Sequence, residues 1–98
     1  MPVRHSGLQK EVLALYRRAL RMVRTKPPPS RDKFRLFVRY SFKTQAAAVS
    51  PRSVGTVEHL IRRGQRQLET YEHPAVRDCQ VSREMRDWEV QERRRWHP

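Results

Sequence analysis

LALYRRAL, residues 13–20, decides how the rest of this chain is read. Its apolar residues recur at spacings of three and four, the period of an α-helix with one buried face. Extended both ways, the pattern puts Leu8, Val12, Leu15, Ala19 and Val23 on one face, with Tyr16 and Leu20 at its edge. Arg17, Arg18, Arg21 and Arg24 fall mostly on the other sides. The spacing predicts a first helix over residues 7–25, and Ser6 followed by Gln9 resembles a capping box at its start. So much positive charge beside a buried face has four candidate objects: nucleic acid, a membrane, organelle import or an acidic protein.

Outward from that helix, the segment TKPPPS (residues 25–30) ends it, because proline has no amide donor and clashes with the preceding turn. Ser30 reads as the cap of a second helix reaching about Ala48, with Phe34, Phe37, Val38, Ser41 and Phe42 on its inner face. Ser50 with Pro51 reads as the start of a third helix. It carries Val54, Val57, Leu60, Ile61, Gly64, Leu68 and Tyr71 at helical spacing and stops before Pro74. Beyond Pro74 six arginines nearly balance five acidic residues. Val81, Met85 and Trp88 are spaced like a helix face there, and Ser82 is a candidate cap. This extension is either a fourth short helix or a tail that orders on a partner. Strand signals and internal repeats are absent. The expected fold is all-α, an antiparallel three-helix bundle over residues 1–78 with a charged C-terminal extension over residues 79–98.

The bulk composition narrows the function. Among 98 residues, 22 Lys and Arg face 10 Asp and Glu, for a formal net charge of +12. That balance favours polyanions or acidic proteins without choosing among them. A hydrophobic fraction of 37% gives a thin core, which a partner binding the folded form would stabilise. The single cysteine, Cys79, excludes an internal disulfide and any cysteine cluster for zinc or iron–sulfur, and fits a reducing compartment. No apolar run approaches the length of a membrane span. From residue 1 to residue 26, seven basic residues face Glu11 alone on an amphipathic segment, the pattern that mitochondrial import reads. The same residues also read as an ordinary basic helix of the mature protein.

Catalysis has little support. His5, His59, His73 and His97 are scattered, with no second ligand at metal-binding spacing, and no glycine-rich phosphate loop is present. The expectation is a protein with no catalytic residues, no metal and no cofactor bound directly. Nucleic acid has the charge in its favour, with twelve basic residues between residues 4 and 43 and Tyr16 and Tyr40 among them, but no recognised fingerprint accompanies it. Gly64 sits on the apolar face of helix three, where it costs about 1 kcal/mol relative to alanine. It marks either a close approach by a partner or a packing notch between helices.

Leu15, Tyr16 and Arg17 near the start of a first helix, with Phe42 in the second, resemble the LYR-motif family of small mitochondrial matrix proteins. The wider match is to the branch of that family concerned with succinate dehydrogenase assembly, in its fungal form. It rests on SGLQKEVLALYRRALR (6–21), Lys26–Pro27, SPRSVGTVEHLIRRGQRQL (50–68) and His73–Pro74, and covers roughly residues 4–78. The resemblance implies a three-helix bundle in the mitochondrial matrix that helps mature the iron–sulfur subunit of succinate dehydrogenase. Leu15, Tyr16 and Arg17 would recruit the iron–sulfur co-chaperone. Arg62, Arg63 and Gly64 match the arginine–arginine–glycine element of the third helix and, with Phe42, are the implied client or partner contacts. Many members also bind the mitochondrial acyl carrier protein, whose acyl-phosphopantetheine inserts between the helices; such a partner is acidic. Arg17 from the motif, and Arg39, Lys43 and Arg63 by charge and placement, are the expected acidic contacts. Two alternatives stay open: an accessory subunit of a respiratory complex or mitochondrial ribosome held through acyl carrier protein, and a small basic nucleic-acid-binding protein.

Overall fold

A computed structural model describes residues 7–50 and 52–96, and among these residues the chain forms four helices and no strand. They are α1 (Gly7–Arg24), α2 (Pro28–Ala48), α3 (Val54–Glu72) and α4 (Arg83–Trp96). Helix α1 is central: α2 packs along one of its flanks and α3 along the other, and α4 packs on α2. Tyr16 meets Phe42 while the turn after α1, at Lys26, meets Phe34, so α2 runs back along α1. The core gathers Leu15, Ala19, Met22 and Val23 of α1, Phe34 and Val38 of α2, and Leu68 of α3. Phe34 is fully buried.

Among the described residues, α2 and α3 nowhere bring their Cα atoms within 8 Å of each other. They meet through rings, with Tyr71 edge-on to Phe34 and to Phe37. Edge-to-face pairs at these spacings suit the quadrupoles of the rings.

Helix starts differ from the sequence reading in two places. Ser30 is not a cap. Helix α2 already begins at Pro28, because proline is tolerated in a first turn whose amides lack helical partners in any case. Ser30 is therefore inside the helix and buried, and its hydroxyl donates to the Arg77 carbonyl at 2.7 Å. Nor does Ser50 cap α3, which starts at Val54. The Ser50 hydroxyl accepts instead from the Arg52 amide, a local turn that competes with capping. Pro51 and the Ser6 of the capping box lie outside the described residues. Ser82 does cap α4, accepting from the Met85 amide at 3.2 Å.

The burial pattern also adds residues. Met22 and Leu36 are buried although neither was placed on an inner face, and Val54 is exposed. Leu36 is buried outside the main core cluster and lies one turn before Tyr40, the residue that meets Trp88 of α4. Helix α2 therefore buries two sides.

The least expected buried group is Lys26, only 3% exposed. Its ammonium donates to the carbonyls of Val76 at 2.6 Å and His73 at 3.3 Å, and lies 5.3 Å from the centre of the Phe34 ring. Desolvation by burial holds its pKa below the usual lysine range. His73 is the cap residue of α3, so the cation also sits at the negative end of that helix. Replacing Lys26 with Met keeps the stem and orphans both carbonyls. Urea denaturation of Lys26→Met is expected to show a loss of about 1–3 kcal/mol; an unchanged midpoint would mean the clamp holds nothing.

Candidate interaction surface

Successive residues on an α-helix turn by 3.6 per revolution, so three consecutive side chains leave in three directions. The structure uses all three for Leu15, Tyr16 and Arg17. Leu15 is buried against α3, with its Cδ2 filling the space beside Gly64, where a Cβ would stand 2.9 Å away. Tyr16 is half-buried toward α2 and packs edge-on to Phe42, ring centroids 5.0 Å apart at 66°. Arg17 is exposed and makes no ion pair among the described residues. Gly64 is thus a packing notch occupied from within the chain, and of the motif only Arg17 and one side of Tyr16 are presented outward.

The next residue, Arg18, was not singled out in the sequence. It grips Glu72 of α3 with two parallel bonds, Nη2 to Oε1 at 2.6 Å and Nε to Oε2 at 3.0 Å. Such a fork is the strong geometry for a guanidinium and a carboxylate. The Arg18 hydrogen bond holds the Glu72 carboxyl below its ordinary range. Sequence offers no signal for this pair, whose members are 54 residues apart.

Other arginines stay free of ion pairs among the described residues. On α1, Lys10, Arg17, Arg21 and Arg24 are exposed at helical spacing on the side away from Leu15. On α3, Arg62, Arg63 and Arg66 are exposed on the side away from Ile61 and Leu68. Arg52, Arg77, Arg83 and Arg94 are also exposed without an ion pair among the described residues, but only α1 and α3 align such cations in a stripe.

Arg39 and Lys43 are placed differently. Both face the α2–α4 junction, where their charged groups lie 6.0 Å and 5.8 Å from the Trp88 ring centre. Lys43 also pairs with Glu92 at 3.5 Å. The structure therefore does not gather Arg17, Arg39, Lys43 and Arg63 into one face. It does join Phe42 to Tyr16, and Gly64 to Leu15, so two residues implied as partner contacts support the motif from behind. Among the described residues no group of three His, Cys, Asp or Glu side chains can hold a metal ion, and no helix is long and apolar enough to cross a membrane.

A family model described as Complex 1 protein (LYR family) matches residues 10–70. The chain is 39% identical over 77 residues to succinate dehydrogenase assembly factor 1, mitochondrial, of Schizosaccharomyces pombe, covering 79% of this chain and 96% of that protein. It is 39% identical over 76 residues to the protein of the same name from Saccharomyces cerevisiae S288c, covering 78% and 95%. The Bos taurus protein of that name is 46% identical over 67 residues, covering 67% of this chain and 51% of its own length. No solved structure matches the chain.

Two measurements check the internal contacts of this surface. Gly64→Ala gains about 1 kcal/mol of helix propensity but presses a methyl onto the buried Leu15, a strain of about 1–3 kcal/mol. It should destabilise the wild type and stabilise a Leu15→Ala background; equal effects in both would disprove the contact. The Arg18–Glu72 pair is a third exposed, so its contribution stays below about 1 kcal/mol. Because the Glu72 pKa is lowered on folding, that contribution is present above the ordinary value of 4.5 and vanishes as pH falls through the lowered one. Thermal melts from pH 6 to pH 3 should converge for wild type and Glu72→Gln; a constant gap would refute the linkage.

Proposed function

The chain belongs to the LYR family of complex 1 proteins, and from that membership we propose that it is a mitochondrial assembly factor for succinate dehydrogenase. The observation that carries this reading is the likeness to proteins of that name in two yeasts along nearly their whole length. On this reading α1–α3 form the antiparallel bundle of the family in the mitochondrial matrix. The protein helps mature the iron–sulfur subunit of the enzyme and draws the iron–sulfur co-chaperone to Arg17 and the exposed side of Tyr16.

The unpaired basic stripes of α1 and α3 support an acidic protein partner. Fields of one sign raise encounter rates and suppress wrong partners more than they add to affinity. The mitochondrial acyl carrier protein fits that description. Its acyl chain would enter between the helices and would add about 0.8 kcal/mol per buried CH₂ to a thin core. The chain itself then needs no cofactor and acts without catalysis: it holds, orients and releases.

Expression in a yeast strain lacking its own assembly factor tests the reading. Succinate dehydrogenase activity should return, and the enzyme's iron–sulfur subunit should copurify with the tagged chain. A chain that accumulates in mitochondria without restoring activity overturns it. Arg17→Glu should lower the restored activity at least about ten-fold with unchanged melting, because the side chain is exposed and makes no ion pair among the described residues. Full activity of that variant would remove Arg17 from the docking surface.

A further inference from the structure

Helix α4 lies beyond the family-matched residues 10–70, and the assembly-factor reading does not use it. It packs on α2 and on no other helix. None of its described side chains is buried. Its inner face is Met85, Trp88 and Glu92, at spacings of three and four, with Val81 of the preceding linker in line with them. Trp88 stands edge-on to Tyr40, ring centroids 5.7 Å apart at 84°, with the cations of Arg39 and Lys43 both over its ring. One turn on, Glu92 pairs with Lys43. An open cleft of about 480 Å³ remains beside this contact, lined by Lys43, Thr44, Ala47, Trp88, Glu92 and Arg95. The chain is last fixed to the core at Cys79, so only Gln80, Val81 and Ser82 separate that anchor from the helix.

We propose that the face of α2 formed by Arg39, Tyr40 and Lys43 is a docking surface for a helix that presents an aromatic ring and, one turn on, a carboxylate, and that α4 occupies it as a self-docked competitor. The contact has the elements of a partner interface: one aromatic anchor, cations over its ring and a rim ion pair. It also has the thinness of a releasable one, since helices joined by few buried contacts open at low free energy. A partner helix of the same chemistry would displace α4 and swing its arginines away from α2. The proposal concerns the chain alone and stands or falls separately from the succinate dehydrogenase reading.

The test uses the full chain and a fluorescein-labelled peptide of residues 82–96 as the competing helix. Trp88→Ala undocks α4 and should bind the peptide at least about ten-fold more tightly than the wild type does. Glu92→Lys, which sets like charges at Lys43 and leaves the ring in place, should act in the same direction. Adding Lys43→Glu to Trp88→Ala should abolish the gain. Amide exchange should quicken in α4 alone in both single variants. Equal peptide affinity of wild type and both variants overturns the proposal, as does binding that survives Lys43→Glu. Exchange that quickens throughout α1–α3 overturns it too, because α4 would then be part of the core.

Discussion

A buried ammonium fixes the geometry of this small protein. Lys26 lies in the turn after α1, and its Nζ reaches across to the carbonyls of His73 and Val76, just past α3. Two further side chains at helical spacing continue the contact: Ser30 donates to the Arg77 carbonyl, and Lys33 pairs with Asp78 at 2.9 Å. His73, Val76, Arg77 and Asp78 are thereby pinned along the start of α2. Burying the cation costs desolvation, which the two carbonyls, the negative end of α3 and the face of Phe34 offset. The arrangement sets where α3 ends against α1, and from which side the chain returns to place α4 on α2.

The charge beside the core divides by direction. One turn of α1 contains a leucine for α3, a tyrosine for α2, an arginine for solvent and an arginine for Glu72. The two adjacent arginines look equivalent in the string, yet Arg18 is an internal fastener and Arg17 is available to a partner. The same division runs through α2, where Lys33 holds Asp78, Lys43 holds Glu92 and Arg39 lies over the Trp88 ring. Among the described residues, the outward faces of α1 and α3 each carry a stripe of unpaired cations.

Much of this was legible in the sequence, for a definable reason. The inner faces of α1 and α3 were read from period alone, because burial on one side of a helix leaves a regular trace: Leu15, Ala19, Val23, Ile61 and Leu68 are all buried. Helix α2 was read less completely. Its burial on two sides blurs the period, so Leu36 looked like an ordinary outward residue. Ser30 and Ser50 were read as caps because serine before a helix usually is one. Here the tolerance of a first turn for proline moved one start, and a local serine turn moved the other.

By itself the sequence determined the all-helical class, the approximate helix ends, the motif at Leu15–Arg17 and the strong basic excess. These follow from local stereochemistry and composition, which act over a few residues. The tertiary structure alone decided which charges are spent and which are free. Arg18 with Glu72, Lys26 with Val76, and Lys43 with Glu92 are pairs separated by about fifty residues. No periodicity connects such residues. Packing brings them together, because a cation drawn out of water must find acceptors wherever the fold has placed them.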